Sequence, residues 1–229
     1  VGSVAYDGAE VVPYPDLGWA LRHLSERLRT EAGPRYYFLY FEGIDSAGHH
    51  YGPGSPEFAA AVATTFEQVE REFAPALSAG PGRTLFLMTA DHGQVVKDPG
   101  TTFYVDLEIP GFERFIRTTR KGELMVPGGS SRDLFLYIKG DMLDEAHQLL
   151  AARLEGRAEV YRADRLMSEG LFGAEPSARL LERMSDLVVL PYEGESVYWH
   201  GKGRFAENFL GHHGGPTPGE MGTLLAALA

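Results

Sequence analysis

With 229 residues, 44% of them apolar, the chain can close a substantial core, and a single domain is the expectation. Its 32 acidic residues against 21 basic ones leave a formal charge of -11, a field that repels nucleic-acid backbones and argues against a nucleic-acid coat protein. The absence of cysteine removes disulfides, thiolate nucleophiles and thiolate-bound zinc together, so any metal must sit on histidines and carboxylates, a ligand mix that suits zinc or manganese.

No apolar run is long enough to span a bilayer, and the opening VGSVAYDGAE has neither a basic nor an apolar leader segment. Lack of cysteine fits a cytoplasmic location. The chain opens on Val1 rather than Met, so the sequence is expected to start inside a longer product.

In chain order, Arg35–Phe41 (RYYFLYF) follows Gly33 and Pro34 and reads as a short buried strand. Tyr40–Pro53 (YFEGIDSAGHHYGP) begins where that strand ends. If it turns helically, Asp45 and His49 share a face and can reach one ion. The plain alternative is a polar loop whose Asp45 caps the next turn and whose histidines face water. Glu57–Ser78 carries Phe58, Ala61, Val62, Phe66, Val69 and Phe73 at helical spacing, with Pro56 near its start. Arg83–Ala90 (RTLFLMTA) is a second buried strand, and MTADHGQ follows it directly, where a turn at Gly93 lets Asp91 and His92 converge. An Asx-turn with a solvated histidine is the alternative there. Strand, helix, strand in alternation points to an α/β sheet with parallel neighbours, whose ligands gather at the carboxyl ends of strands.

Further on, Asp133–Lys139 reads as a strand, Met142–Leu154 as a helix and Ala158–Tyr161 as a short strand, a small α/β lobe in the middle of the chain. Asp186–Leu190 is another buried strand, and Pro218–Leu228 reads as a terminal helix with Glu220 in its first turn. Between these two lies Phe209–Met221 (FLGHHGGPTPGEM). A loop so rich in glycine is costly to order without side-chain packing, so something should hold it; metal coordination would do so, and a Gly-rich surface turn before the last helix is the plain alternative.

Together the three segments resemble the nucleotide pyrophosphatase/phosphodiesterase (type I phosphodiesterase) family of the alkaline phosphatase superfamily. YFEGIDSAGHHYGP is similar to its spaced Asp, Gly-His and Tyr-Gly-Pro pattern, TADHGQ to its Asp-His-Gly element, and GHHGG with PGEM to its closing Gly-x-His-Gly. The likeness is dense over residues 35–95 and 183–225, where RMSDLVVL also resembles the family's strand before the final histidine. The resemblance implies an alkaline-phosphatase-like α/β fold with a mostly parallel sheet flanked by helices, and metal-dependent hydrolysis of phosphodiester or pyrophosphate bonds.

Carried over residue by residue, the resemblance implies two divalent ions, zinc first and manganese as the alternative. Asp45, His49 and His213 would bind one, Asp91 and His92 the other, with His213 preferred to His212 by the Gly-x-His-Gly frame. The family completes the second site with an Asp near the start of its catalytic domain and a Thr or Ser nucleophile. No apolar strand ending in Asp precedes Tyr36, and Thr89, Thr101 and Thr102 are read as structural. The expected partners are therefore a small phosphate-ester substrate and an N-terminal catalytic segment, the chain being the C-terminal portion of a larger catalytic domain. Competing expectations are a phosphomutase, phosphomonoesterase or sulfatase on the same metal framework, or a non-catalytic metal-binding scaffold.

Overall fold

The computed structural model describes residues 6–79 and 82–228; Val1, on which the reading of the chain's start rests, lies outside them. The main elements in chain order are α1 (Leu17–Thr30), α2 (Gly43–Tyr51), α3 (Pro56–Gln68), β1 (Phe86–Thr89), β2 (Val95–Val96), β3 (Phe103–Tyr104), β4 (Gly128–Ser130), β5 (Asp133–Leu136), α4 (Leu143–Arg153), β6 (Ala158–Arg162), β7 (Leu187–Pro191), β8 (Val197–Tyr198), β9 (Gly211–His212), α5 (Pro218–Met221) and β10 (Leu225–Leu228). The chain divides into two compact units. One takes the described residues within Val1–Ser46, Pro56–Thr89 and Leu224–Ala229, the other Ala47–Ser55 and Ala90–Thr223.

In the first unit, Asp16 caps α1 by accepting a hydrogen bond from the Trp19 N–H at 2.7 Å. Leu17, Leu21, Leu24 and Leu28 of α1 meet Val69, Phe73 and Leu77 of the next long helical stretch, and Phe86 and Met88 of β1 close the cluster. That stretch starts at Pro56 as expected, passes through a wider π-type turn at Val69–Phe73, and ends at Leu77. Pro75 accounts for the turn, since its ring nitrogen has no hydrogen to return to the preceding turn.

Two expectations in this unit are corrected. Residues 35–41 are extended but belong to no strand. Tyr37, Leu39 and Phe41 are half-buried, while Tyr36 is 87% exposed and Phe38 and Tyr40 are exposed with it. The run alternates instead of being buried on both faces. The terminal helix stops at Met221, where Gly222 closes its last turn, and Leu225–Leu228 instead pairs antiparallel with β1 in the register Phe86↔Leu228 to Thr89↔Leu225.

The second unit contains the expected middle lobe, a four-stranded sheet in the order β4-β5-β7-β6. Leu134, Leu136, Leu187 and Val189 of that sheet pack with Ala146 and Leu150 of α4 and with Phe112 and Phe115 in a core of nearly zero exposure. β7 was expected as a buried strand near the last ligand segment, and it lies at the centre of this lobe. The α/β class is as expected, but the strand pairings differ in detail from a mostly parallel sheet. β3 and β8 run parallel, whereas the other paired strands are antiparallel. The tight connection at Ser131–Arg132 forces β4 against β5 in that sense, because parallel neighbours need a long crossover. No described helix is long and apolar enough to cross a membrane.

Candidate metal centre

Asp45 stands in the first turn of α2 and His49 in its last, one helical rung apart. The Asp45 carboxylate, the His49 imidazole and the His213 imidazole each offer a ligand atom within 4.8 Å of the others. Two ligands on one zinc stand at most about 4.2 Å apart, given bonds of about 2.1 Å, so these donors fit an ion after a small closing of rotamers.

The His49 ring is held in one orientation. Its Nδ1 lies 2.8 Å from the Gly211 carbonyl oxygen, which accepts the hydrogen and leaves the lone pair on Nε2. The contact requires glycine at 211, since a Cβ there would strike the Gly48 carbonyl oxygen and stand 2.8 Å from Pro53 Cδ. Phe209 packs on the same imidazole with ring centroids 4.8 Å apart.

Asp91 and His92 follow β1 by two and three residues. The His92 Nδ1 lies 3.0 Å from the Gly93 carbonyl oxygen, and its Nε2 stands 3.6 Å from Asp91 Oδ1. Ligands on a tetrahedral ion are separated by about 3.4 Å, so this pair also has the spacing of two donors to one metal. The rings of His92 and His213 are stacked at 3.5 Å with 12° between planes, which places the two histidines of different ligand segments face to face.

His212 lies on the other side of the strand alternation. Its backbone pairs with Val95, its Nδ1 accepts the His213 N–H at 2.9 Å, and burial pushes its imidazole below the ordinary value. His50 is exposed and lies beside Phe209 and Tyr51. The hydroxyls of Thr89 and Thr101 donate to backbone carbonyls of Leu224 and Asp98, and Thr102 is buried against Ser196.

The groups that hold these loops were not apparent from the sequence. Arg132, at the tip of the β4–β5 hairpin, is fully buried and forms a two-pronged pair with Glu220 at 2.8 Å on both nitrogens. Its remaining hydrogens go to the carbonyls of Tyr192, Glu195 and Pro191. Glu220 also accepts from the Gly215 N–H at 3.0 Å and the Thr217 hydroxyl at 2.6 Å. Burial opposes its charge, and the hydrogen bonds from Arg132, Thr217 and Gly215 outweigh that effect and hold the carboxyl below the ordinary range. Next to Arg132, the buried Ser131 accepts from Lys97, whose ammonium is paired with Glu207. The sequence signal for this brace is an isolated Arg and Glu 88 positions apart, and nothing in periodicity links them.

The residues thus set in place carry a family likeness over most of the chain. The family model for type I phosphodiesterase / nucleotide pyrophosphatase matches residues 15–216. No curated protein sequence matches. Among solved structures, murine ectonucleotide pyrophosphatase / phosphodiesterase 5 superposes with a TM-score of 0.65 at 17% identity, covering 94% of this chain and 54% of that one. A structure of an inactive variant of the same murine protein is described as a complex with AMP. Phosphonoacetate hydrolase from Sinorhizobium meliloti 1021, in complex with phosphonoformate, gives a TM-score of 0.54 at 18% identity over 80% of this chain and 43% of that one. At these identities the likeness to solved structures establishes the fold, and the chain spans about half the length of the murine relative, with 54% covered. With the family model spanning residues 15–216, the chain belongs to the type I phosphodiesterase / nucleotide pyrophosphatase family.

Proposed function

We propose that the protein hydrolyses phosphodiester or pyrophosphate bonds of nucleotides at a two-metal centre. Asp45, His49 and His213 hold one zinc, Asp91 and His92 contribute to the second, and manganese is the alternative ion. The observation that carries this reading is the convergence of Asp45 and His49 from one helix with His213 from a remote segment, with the His92 ring stacked on His213. Bound together, such ions stabilise negative charge on both the attacking and the departing oxygen at phosphorus.

The chain's own residues supply the rest of the reading. The Gly211 carbonyl orients His49, Phe209 packs on one side of that ring, and the Asp91 side chain, 70% exposed, is accessible to a phosphate ester. The AMP held by the murine relative favours a nucleotide over a simple ester. The engaged hydroxyls of Thr89, Thr101 and Thr102 speak against any of them as nucleophile.

The ligand count sets the expected behaviour. The 229 residues alone should hold about one zinc equivalent through dialysis and show no appreciable turnover of a chromogenic diester. Joined to a segment that supplies the family's Thr or Ser, they should cleave bis(p-nitrophenyl) phosphate at least about tenfold faster than p-nitrophenyl phosphate, and a chelator should abolish the reaction. Undiminished turnover after metal removal would overturn the proposal. Monoester cleavage outrunning diester cleavage would transfer the site to a phosphomonoesterase.

A further inference from the structure

We propose that Glu220 is a positioning residue that sets both ligand segments at once, so that the two metal positions share one mechanical support. The inference rests on the metal-centre reading above for its ions, and on hydrogen bonding alone for its support.

Two separate bonds leave this residue toward the two segments. Its carboxylate accepts the Gly215 N–H, two residues after His213. Its backbone carbonyl accepts the Gly93 N–H at 2.7 Å, the residue directly after His92. The second contact is close enough to demand glycine at 93, because a Cβ there would run into the Gly219 carbonyl oxygen and stand 2.8 Å from that of Gly222. Glu220 is itself immobilised, being 1% exposed and clasped by Arg132, which in turn hangs on three carbonyls of residues 191–195. The β4–β5 hairpin touches the His213 side a second time, since the Ser130 hydroxyl donates to the His213 carbonyl at 3.4 Å.

The consequence follows from the face-to-face stacking of His92 and His213 at 3.5 Å. A displacement of residue 220 carries the Gly215 and Gly93 anchors with it, and both rings turn. A loop held only by its own glycines would spread over many conformations, and each would misplace an imidazole by more than metal ligation tolerates.

The test compares Glu220→Gln with Glu220→Leu. Both remove the charge that balances Arg132, so both lose stability, but only the glutamine keeps an oxygen for the Gly215 N–H. A third variant, Arg132→Met with Glu220→Leu, removes both buried charges and still deprives Gly215 of its acceptor, which covers the case in which Glu220→Leu does not fold. Ring resonances of His92 and His213 are recorded by nitrogen-correlated NMR on the chain without added metal, and zinc affinity is then measured well below each melting temperature. Both histidines should shift in Glu220→Leu and in the double variant, with zinc binding weakened by at least about tenfold, while Glu220→Gln stays near the parent in both readouts. Movement of His213 alone, or equal effects of Gln and Leu, would overturn the shared support. Failure of the parent chain to bind zinc would instead strike at the metal reading and leave the NMR comparison to decide the positioning role.

Discussion

Replacing His213 with Ala is expected to lower zinc affinity by about a thousandfold or more, roughly 4 kcal/mol, while replacing His212 with Ala changes it by about tenfold or less. The two histidines are neighbours in sequence, and their difference is conformational. His213 offers a ligand atom to the cluster with Asp45 and His49, whereas His212 turns its Nδ1 back to the His213 N–H and packs edge-on against His49 with centroids 5.1 Å apart. Loss of His213 leaves one carboxylate and one imidazole, a pair that competes poorly with water. Loss of His212 removes packing beneath an imidazole that the Gly211 carbonyl still orients. Isothermal titration with zinc on both variants checks the order, and equal losses or a larger loss at His212 would show the ligand frame to be shifted by one.

The largest stability effect should come from Arg132. Substituting Met leaves the Glu220 carboxylate buried without its cation and three backbone carbonyls without their donor, an expected cost of about 3–5 kcal/mol. For a chain of this size that corresponds to a fall of roughly 6–20 °C in melting temperature. Arg162 is the natural control, since it pairs with Asp144 and Asp164 at the surface and should change stability by less than about 1 kcal/mol when replaced by Met. Thermal melts of the two variants separate these outcomes. A loss at Arg132 no greater than that at Arg162 would mean that the buried pair does not hold the hairpin to the ligand loop.

The two elements proposed to carry chemistry were readable because their signals are local. Asp45 and His49 are four residues apart, and the spacing alone places them on one face of α2. Asp91 and His92 sit after an apolar run that does form a strand, although a shorter one than the composition suggested. What the sequence did not disclose depends on distant partners. Residues 35–41 and 83–90 look alike as apolar runs, yet the second is the one that forms a strand, paired with Leu225–Leu228, which by propensity reads as helix. α1 carries an open signal in Asp16 and the leucines at 17, 21, 24 and 28, but it bears no ligand and is set by packing in its own unit. The brace through Arg132 and Glu220 was the least accessible. A glutamate in the first turn of a helix is ordinary for that position, and only the fold shows that its carboxylate faces inward to a guanidinium from another hairpin.

The glycine content of Phe209–Met221 pointed to a loop that needs holding, and the structure supplies two supports for it. The Arg132–Glu220 pair fixes the turn after His213, and the hairpin residue Ser130 reaches the His213 carbonyl directly. On the proposed reading, hydrogen bonds hold the candidate ligands of the free chain in place, which would lower the ordering cost of binding an ion.

Anomalous diffraction at the zinc edge, from crystals of the chain grown with zinc, tests the two-site assignment most directly. A strong peak is expected within about 2.0–2.2 Å of ligand atoms of Asp45, His49 and His213, and a weaker one or none beside Asp91 and His92. A strong peak elsewhere with no density among Asp45, His49 and His213, or a zinc ligated by His212 in place of His213, would contradict it.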